Sequence, residues 1–122
     1  MKNSISTITV LFAVILFTTT GFAQDATKVD PKHYKVEFEN DSVRVLRVTY
    51  GPNEKSIMHE HPNAVAVFIT DITGKFTFPD GKTMAMQRKA GEALWNDAVT
   101  HLPENSTDQA FEVILVELKT KK

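Results

Sequence analysis

From Tyr34 to the C-terminus no stretch carries apolar residues at helical spacing for more than a turn or two. Short runs of β-forming residues alternate with turn residues instead, which restricts the chain to an all-β architecture. The runs are Tyr34 to Glu39, Val43 to Tyr50, Ser56 to His61, Ala64 to Ile69, Lys75 to Phe78, Thr83 to Arg88, Ala93 to Asn96, Val99 to Leu102 and Ala110 to Lys119. In the second run the apolar set changes register between Val45 and Leu46, which predicts a bulge there, with Arg44 and Arg47 on the wet side. Ala64 to Ile69 is apolar at every position, as expected of a strand covered on both faces. Asp80-Gly81 is a hairpin signal, because the turn needs positive φ, and Gly51, Gly74 and Gly91 are also read as turn positions. So many short strands with tight turns predict a sandwich or barrel.

The N-terminus follows a different logic. Lys2 precedes an apolar run from Ile8 to Phe17, and Gly21-Phe22-Ala23 places small residues at −3 and −1 of a cut before Gln24. This is the layout of a secretory signal peptide over residues 1–23, which implies a periplasmic or secreted protein. The run is too short for a membrane span, so no stable anchor is expected after cleavage, and no cysteine follows the cut to take a lipid. Residues 24–33 read as a linker and 34–122 as one domain.

The 122 residues contain 14 basic and 15 acidic side chains, a balance that argues against nucleic acid as a partner. With 42% apolar residues the chain can build a core. With no cysteine, the chain lacks disulfides, thiolate metal sites and a cysteine nucleophile, leaving imidazole, carboxylate and hydroxyl groups to carry any chemistry. A small exported domain without disulfides would gain stability from a bound metal or from pairing with a second copy.

His59-Glu60-His61 supplies the first chemical pattern. On a strand, residues i and i+2 share a face with Cα atoms about 6.5 Å apart, so both imidazoles can reach one ion while Glu60 points away. A third histidine, His101, follows 40 residues after His61 and is itself followed by Asn105; only His33 falls outside the pattern.

Residues 36 to 119 resemble the cupin superfamily. The first cupin motif, Gly, spacer, His-x-His, spacer, Gly, reads here from Gly51 through His59 and His61 to Gly74; the second, Gly, spacer, His, three residues, Asn, reads from Gly91 through His101 to Asn105. The stretch from Gly91 onward is similar to short single-domain cupins, some named for β-alanine degradation. The resemblance implies a double-stranded β-helix, or jelly-roll barrel, with His59, His61 and His101 as ligands of a divalent metal ion such as Fe, Mn, Ni or Zn. It also implies a homodimer, with the strand from Tyr34 as a candidate contact. Three features depart from the pattern: the motif glutamate falls at Val65 or Ala66, the Pro-x-Gly element is Asn96-Asp97-Ala98, and the spacer before His59 is long.

Three neutral nitrogens leave an ion its full charge, so the site would need an anion or substrate carboxylate to complete it. The expected function is a metal-dependent enzyme acting on a small organic acid, with oxygenase-like or Lewis-acid chemistry; the alternative is a non-catalytic domain binding a metal or small ligand. Tyr50 and Glu104 are candidate acid or base groups. Trp95 and Phe68 are expected in the core or pocket wall, and Met84 and Met86 in packing. Asn105-Ser106-Thr107 formally matches a glycan acceptor.

Overall fold

A computed structural model describes residues 24–121; the expected signal peptide lies outside the described residues. Nine strands follow a short helix, α1 (Ala26–Val29): β1 (Tyr34–Glu39), β2 (Val43–Tyr50), β3 (His59–His61), β4 (Ala64–Phe68), β5 (Ile72–Thr77), β6 (Thr83–Arg88), β7 (Ala93–Asn96), β8 (Val99–Asn105) and β9 (Phe111–Leu118). They form two antiparallel sheets, a five-stranded one in the order β1-β2-β9-β4-β7 and a four-stranded one in the order β3-β8-β5-β6. This is the all-β architecture expected from the strand and turn pattern, in the double-stranded β-helix form that the resemblance implies.

Alternation along each strand makes one inner face per sheet. In the five-stranded sheet, Leu46, Leu115 and Ala66 form one buried cross-strand row, and Val48, Val113 and Phe68 the next. Ile72 and Phe76 point inward from the four-stranded sheet, against Tyr50 and Phe111 from the other. Burying such side chains, at about 1.5–3 kcal/mol each, is what closes the two sheets on one another.

Several expectations need correction. The bulge lies in β1, between Val36 and Phe38, opposite the predicted Val45–Leu46 step. β2 pairs with β9 in unbroken register from Val43 to Tyr50, so the extra residue is taken up by the edge strand, which has a partner on one side only. Arg44 is not on the wet side; it shares the inner face with Leu46 and Val48. β4 is fully buried on one face only, through Ala64, Ala66 and Phe68, and Ile69 lies exposed beyond its end. Trp95 is 51% exposed on the outer face, its indole N–H donating to Asp97.

Residues 24–33, expected as a linker, pack onto the barrel. Asp25 caps α1 by accepting from the Thr27 N–H, Ala26 is fully buried, and the Glu60 N–H donates to the Gln24 carbonyl. His33 is buried too, stacked on Tyr50 at 4.2 Å between ring centres, with its nitrogens 2.7 Å from Asp30 and 2.5 Å from Glu54.

Gly74 sits inside β5 rather than in a turn. A Cβ there would lie 2.2 Å from the Glu104 carbonyl oxygen, a backbone atom of the adjacent strand β8. Gly74→Ala is therefore expected to cost about 1–3 kcal/mol in urea unfolding, as overpacking does. Gly91, at φ 87 with open space around it, should accept Asn with little loss. Equal stabilities for Gly74→Ala and wild type would refute this close approach.

Candidate metal centre

The three histidines converge because β3 and β8 are partners in exact register. His59 faces His101 directly across the ladder, and His61 shares the face of His59 two residues on. Ring centres lie 4.8 Å (His59–His61), 5.1 Å (His59–His101) and 5.5 Å (His61–His101) apart, each pair nearly perpendicular. One nitrogen from each ring can be chosen so that all three lie within 4.8 Å of one another, and all three residues are buried, His59 with 1% exposure.

The other ring nitrogens show how two of the rings are aimed. His59 Nδ1 lies 2.7 Å from the Ile57 carbonyl, to which it donates, so Nε2 is free to accept. His61 Nδ1 lies 2.7 Å from Glu117 Oε1, which likewise leaves Nε2 free to accept. His101 is held by packing against the Phe76 ring, 4.4 Å between centres. Among the described residues, the buried side-chain nitrogens and oxygens without a hydrogen-bond partner are His59 Nε2 and both nitrogens of His101. Orphaned buried nitrogens cost about 1–3 kcal/mol each, and a shared cation would satisfy them. The donor set therefore fits a divalent ion of the Zn, Fe, Ni or Mn type.

Burial, followed by the nearby His61, pushes His59 down to about 4 and His101 down to about 3. Both rings are thus neutral, with lone pairs available, across the ordinary pH range.

His61 and His101 open on a cavity of about 210 Å³ between the two inner faces. Its walls are mostly apolar, with Phe68, Phe76, Phe111 and Leu115 among them; Met84, Met86 and Arg88 line it from β6 and Asn96 and Asp97 from the end of β7. Ala66, one of the two positions where the motif glutamate was expected, faces this cavity, and Val65 faces outward. Tyr34 packs against His59 at 4.7 Å and His61 at 5.3 Å between ring centres, and its hydroxyl is 2.7 Å from that of Tyr50. Burial holds both phenols well above the ordinary tyrosine range, so both keep their protons.

Of the two acid–base candidates, Tyr50 lines the cavity but Glu104 does not, being paired with Lys75. Asn105 is 1% exposed and bound on both sides, donating to the carbonyls of Gly51 and Gln109 and accepting from Thr107; it ties loops together and is no glycan acceptor. Sequence reasoning missed Tyr34 and Glu117. The signal for Glu117 was available, since it shares the parity of Val113 and Leu115 on β9, as Arg44 shares that of Leu46 and Val48 on β2.

No protein-family model matches the chain, and no curated protein matches it. Solved structures do. A cupin domain from Bordetella pertussis superposes with a TM-score of 0.66 at 24% identity, covering 71% of this chain and 92% of that one. An RmlC-like cupin from Methanocaldococcus jannaschii, with a double-stranded β-helix fold, gives a TM-score of 0.54 at 16% identity, covering 73% of this chain and 83% of that one. The polyketide cyclase RemF from Streptomyces resistomycificus gives 0.54 at 14% identity, covering 70% of this chain and 63% of that one. The fold is the double-stranded β-helix of cupin-domain proteins, and its interior carries a buried three-histidine cluster.

Proposed function

We propose that this protein is a metal-dependent enzyme acting on a small organic acid or similar metabolite, with His59, His61 and His101 holding one divalent ion. The observation that carries this reading is the convergence of three buried imidazoles, two of which, His59 and His101, hold buried nitrogens with no hydrogen-bond partner. An ion bound there supplies Lewis acidity toward a ligand oxygen, or activates water or dioxygen. The chain's own groups do the rest. Ile57 and Glu117 orient two of the rings, the apolar walls exclude water, and the Tyr34–Tyr50 pair presents protonated hydroxyls beside the histidines. Three neutral donors leave the ion's charge uncompensated, which favours an anionic ligand, and the cavity favours one with a compact apolar body.

A second reading is a non-catalytic binding domain. It is favoured by the cavity lining, where the buried titratable groups are histidine and tyrosine, Asp97 is exposed, and the buried Glu117 is already bound to His61 and Arg44.

We also propose that the chain is exported, on the strength of Lys2, the Ile8–Phe17 run and the Ala23 cut, and that the mature chain pairs with a second copy. A surface for pairing is the outer row Phe38, Val45, Val116, Val65 and Trp95, which crosses the whole five-stranded sheet from the edge strand β1 and leaves Phe38 53% exposed.

Protein purified without chelators and offered Fe, Mn, Ni and Zn is expected to retain one ion per chain, and the His59→Ala/His101→Ala variant none; no stoichiometric metal in the wild type would overturn the metal reading. Turnover of candidate acids by the loaded protein favours the enzyme, and binding without turnover the alternative. Apo-protein stability is expected to fall with acid. His59 and His101 are depressed on folding, so their contribution is complete above the unfolded imidazole value of 6.5 and is lost as pH drops toward about 4 and about 3. A His101→Gln variant should show a shallower loss in that window by thermal unfolding, and an unchanged slope would contradict the shift. Mass spectrometry and light scattering on exported protein should give a chain starting at Gln24 and a dimer; a retained leader or a monomer would refute the corresponding proposal.

A further inference from the structure

Glu117 is 2% exposed, a costly place for a carboxylate unless its bonds are fully used. They are used in one direction. Oε1 takes the His61 Nδ1 contact at 2.7 Å, and Oε2 accepts from Arg44 Nε at 2.8 Å, with the neighbouring guanidinium nitrogen at 2.7 Å. Arg44 and Glu117 are direct cross-strand partners on the inner face, and the other arm of Arg44 reaches Asp25 at 2.7 Å, ahead of α1. The chain Asp25–Arg44–Glu117–His61 thus runs from the packed N-terminal segment to the metal centre.

We infer that Glu117 is a positioning residue that fixes the tautomer of His61, and that Arg44 fixes which way Glu117 can serve it. This rests on the metal-site reading above. Arg44 carries only donors, so whatever stands at 117 must turn an acceptor toward it. A carboxylate has a second acceptor left for His61 Nδ1–H, which exposes the bare Nε2 to the ion. An amide has one oxygen. Held by Arg44, that oxygen is spent, the NH₂ group faces Nδ1, and the His61 proton moves to Nε2, into the position the metal must occupy. The sequence motif names His61 as a ligand; the geometry adds that His61 ligates well only while residue 117 accepts on both sides.

Glu117→Gln is therefore expected to lower cobalt affinity by about 10- to 100-fold, the usual cost of losing the outer partner of a metal-bound histidine. Nitrogen NMR of the metal-free protein at about pH 8, above the ordinary imidazole range, should show His61 protonated at Nδ1 in the wild type and at Nε2 in Glu117→Gln. The double variant Arg44→Met/Glu117→Gln decides between positioning and mere structure. With Arg44 gone the amide can turn its oxygen to His61, so cobalt affinity and the Nδ1–H tautomer should both return toward wild type. Further loss of affinity in the double variant, or an Nε2–H tautomer in the wild type, would overturn the inference. If Glu117→Gln does not fold, the double variant still decides through the same tautomer and affinity. A wild type that binds no cobalt refutes the metal reading, while the metal-free tautomers still test the Arg44–Glu117 lock.

Discussion

The structure depends on one costly arrangement, three imidazoles buried nearly perpendicular to one another between two sheets. Apolar packing alone gives no reason for it, since each unpaired nitrogen gives up a bond to water and gains nothing in return. The exact pairing of His59 with His101 across β3 and β8 nevertheless builds it into the ladder itself. Two of the rings are aimed before any ligand arrives, and the low proton affinity of His59 and His101 leaves their lone pairs free. Such preorganisation, set on strands rather than loops, is what a site needs to hold an ion with defined geometry.

Support for the site comes from places that do not look like a site. β2 and β9 contribute Arg44 and Glu117 as a charged pair at the end of an apolar inner face, and the N-terminal segment contributes Asp25 and Asp30. Asp30 accepts from Ser56, whose hydroxyl lies 3.3 Å from His59 Nδ1, so the residues before β1 back both His59 and His61. The barrel and its N-terminal segment are packed as one unit.

The strand pattern was legible because turns and alternation are local properties. The Asp80-Gly81 turn, with Gly81 at φ 84, and the bounds of β1, β2, β6 and β7 follow from it directly. His59, His61 and His101 were legible through their motif spacing. What escaped was non-local. Gly74 resembles a turn glycine in sequence, but it is required by the carbonyl of a neighbouring strand. Trp95 resembles core, yet the parity of β7 turns it outward, beside Val65 and in line with Phe38. Residues 24–33 lack periodicity, yet Ala26 joins the core cluster, Asp30 is buried against Ser56 and His33 against Tyr50. Glu117 looks like one more surface charge until its parity on β9 is matched with that of Arg44 on β2.

The central claim is that His59, His61 and His101 act together on one ion. X-ray absorption on the cobalt-loaded protein tests it most directly. The first shell should contain three imidazole nitrogens, reduced to two in a His59→Ala variant. A shell with fewer imidazoles, or one unaltered by that substitution, would contradict it.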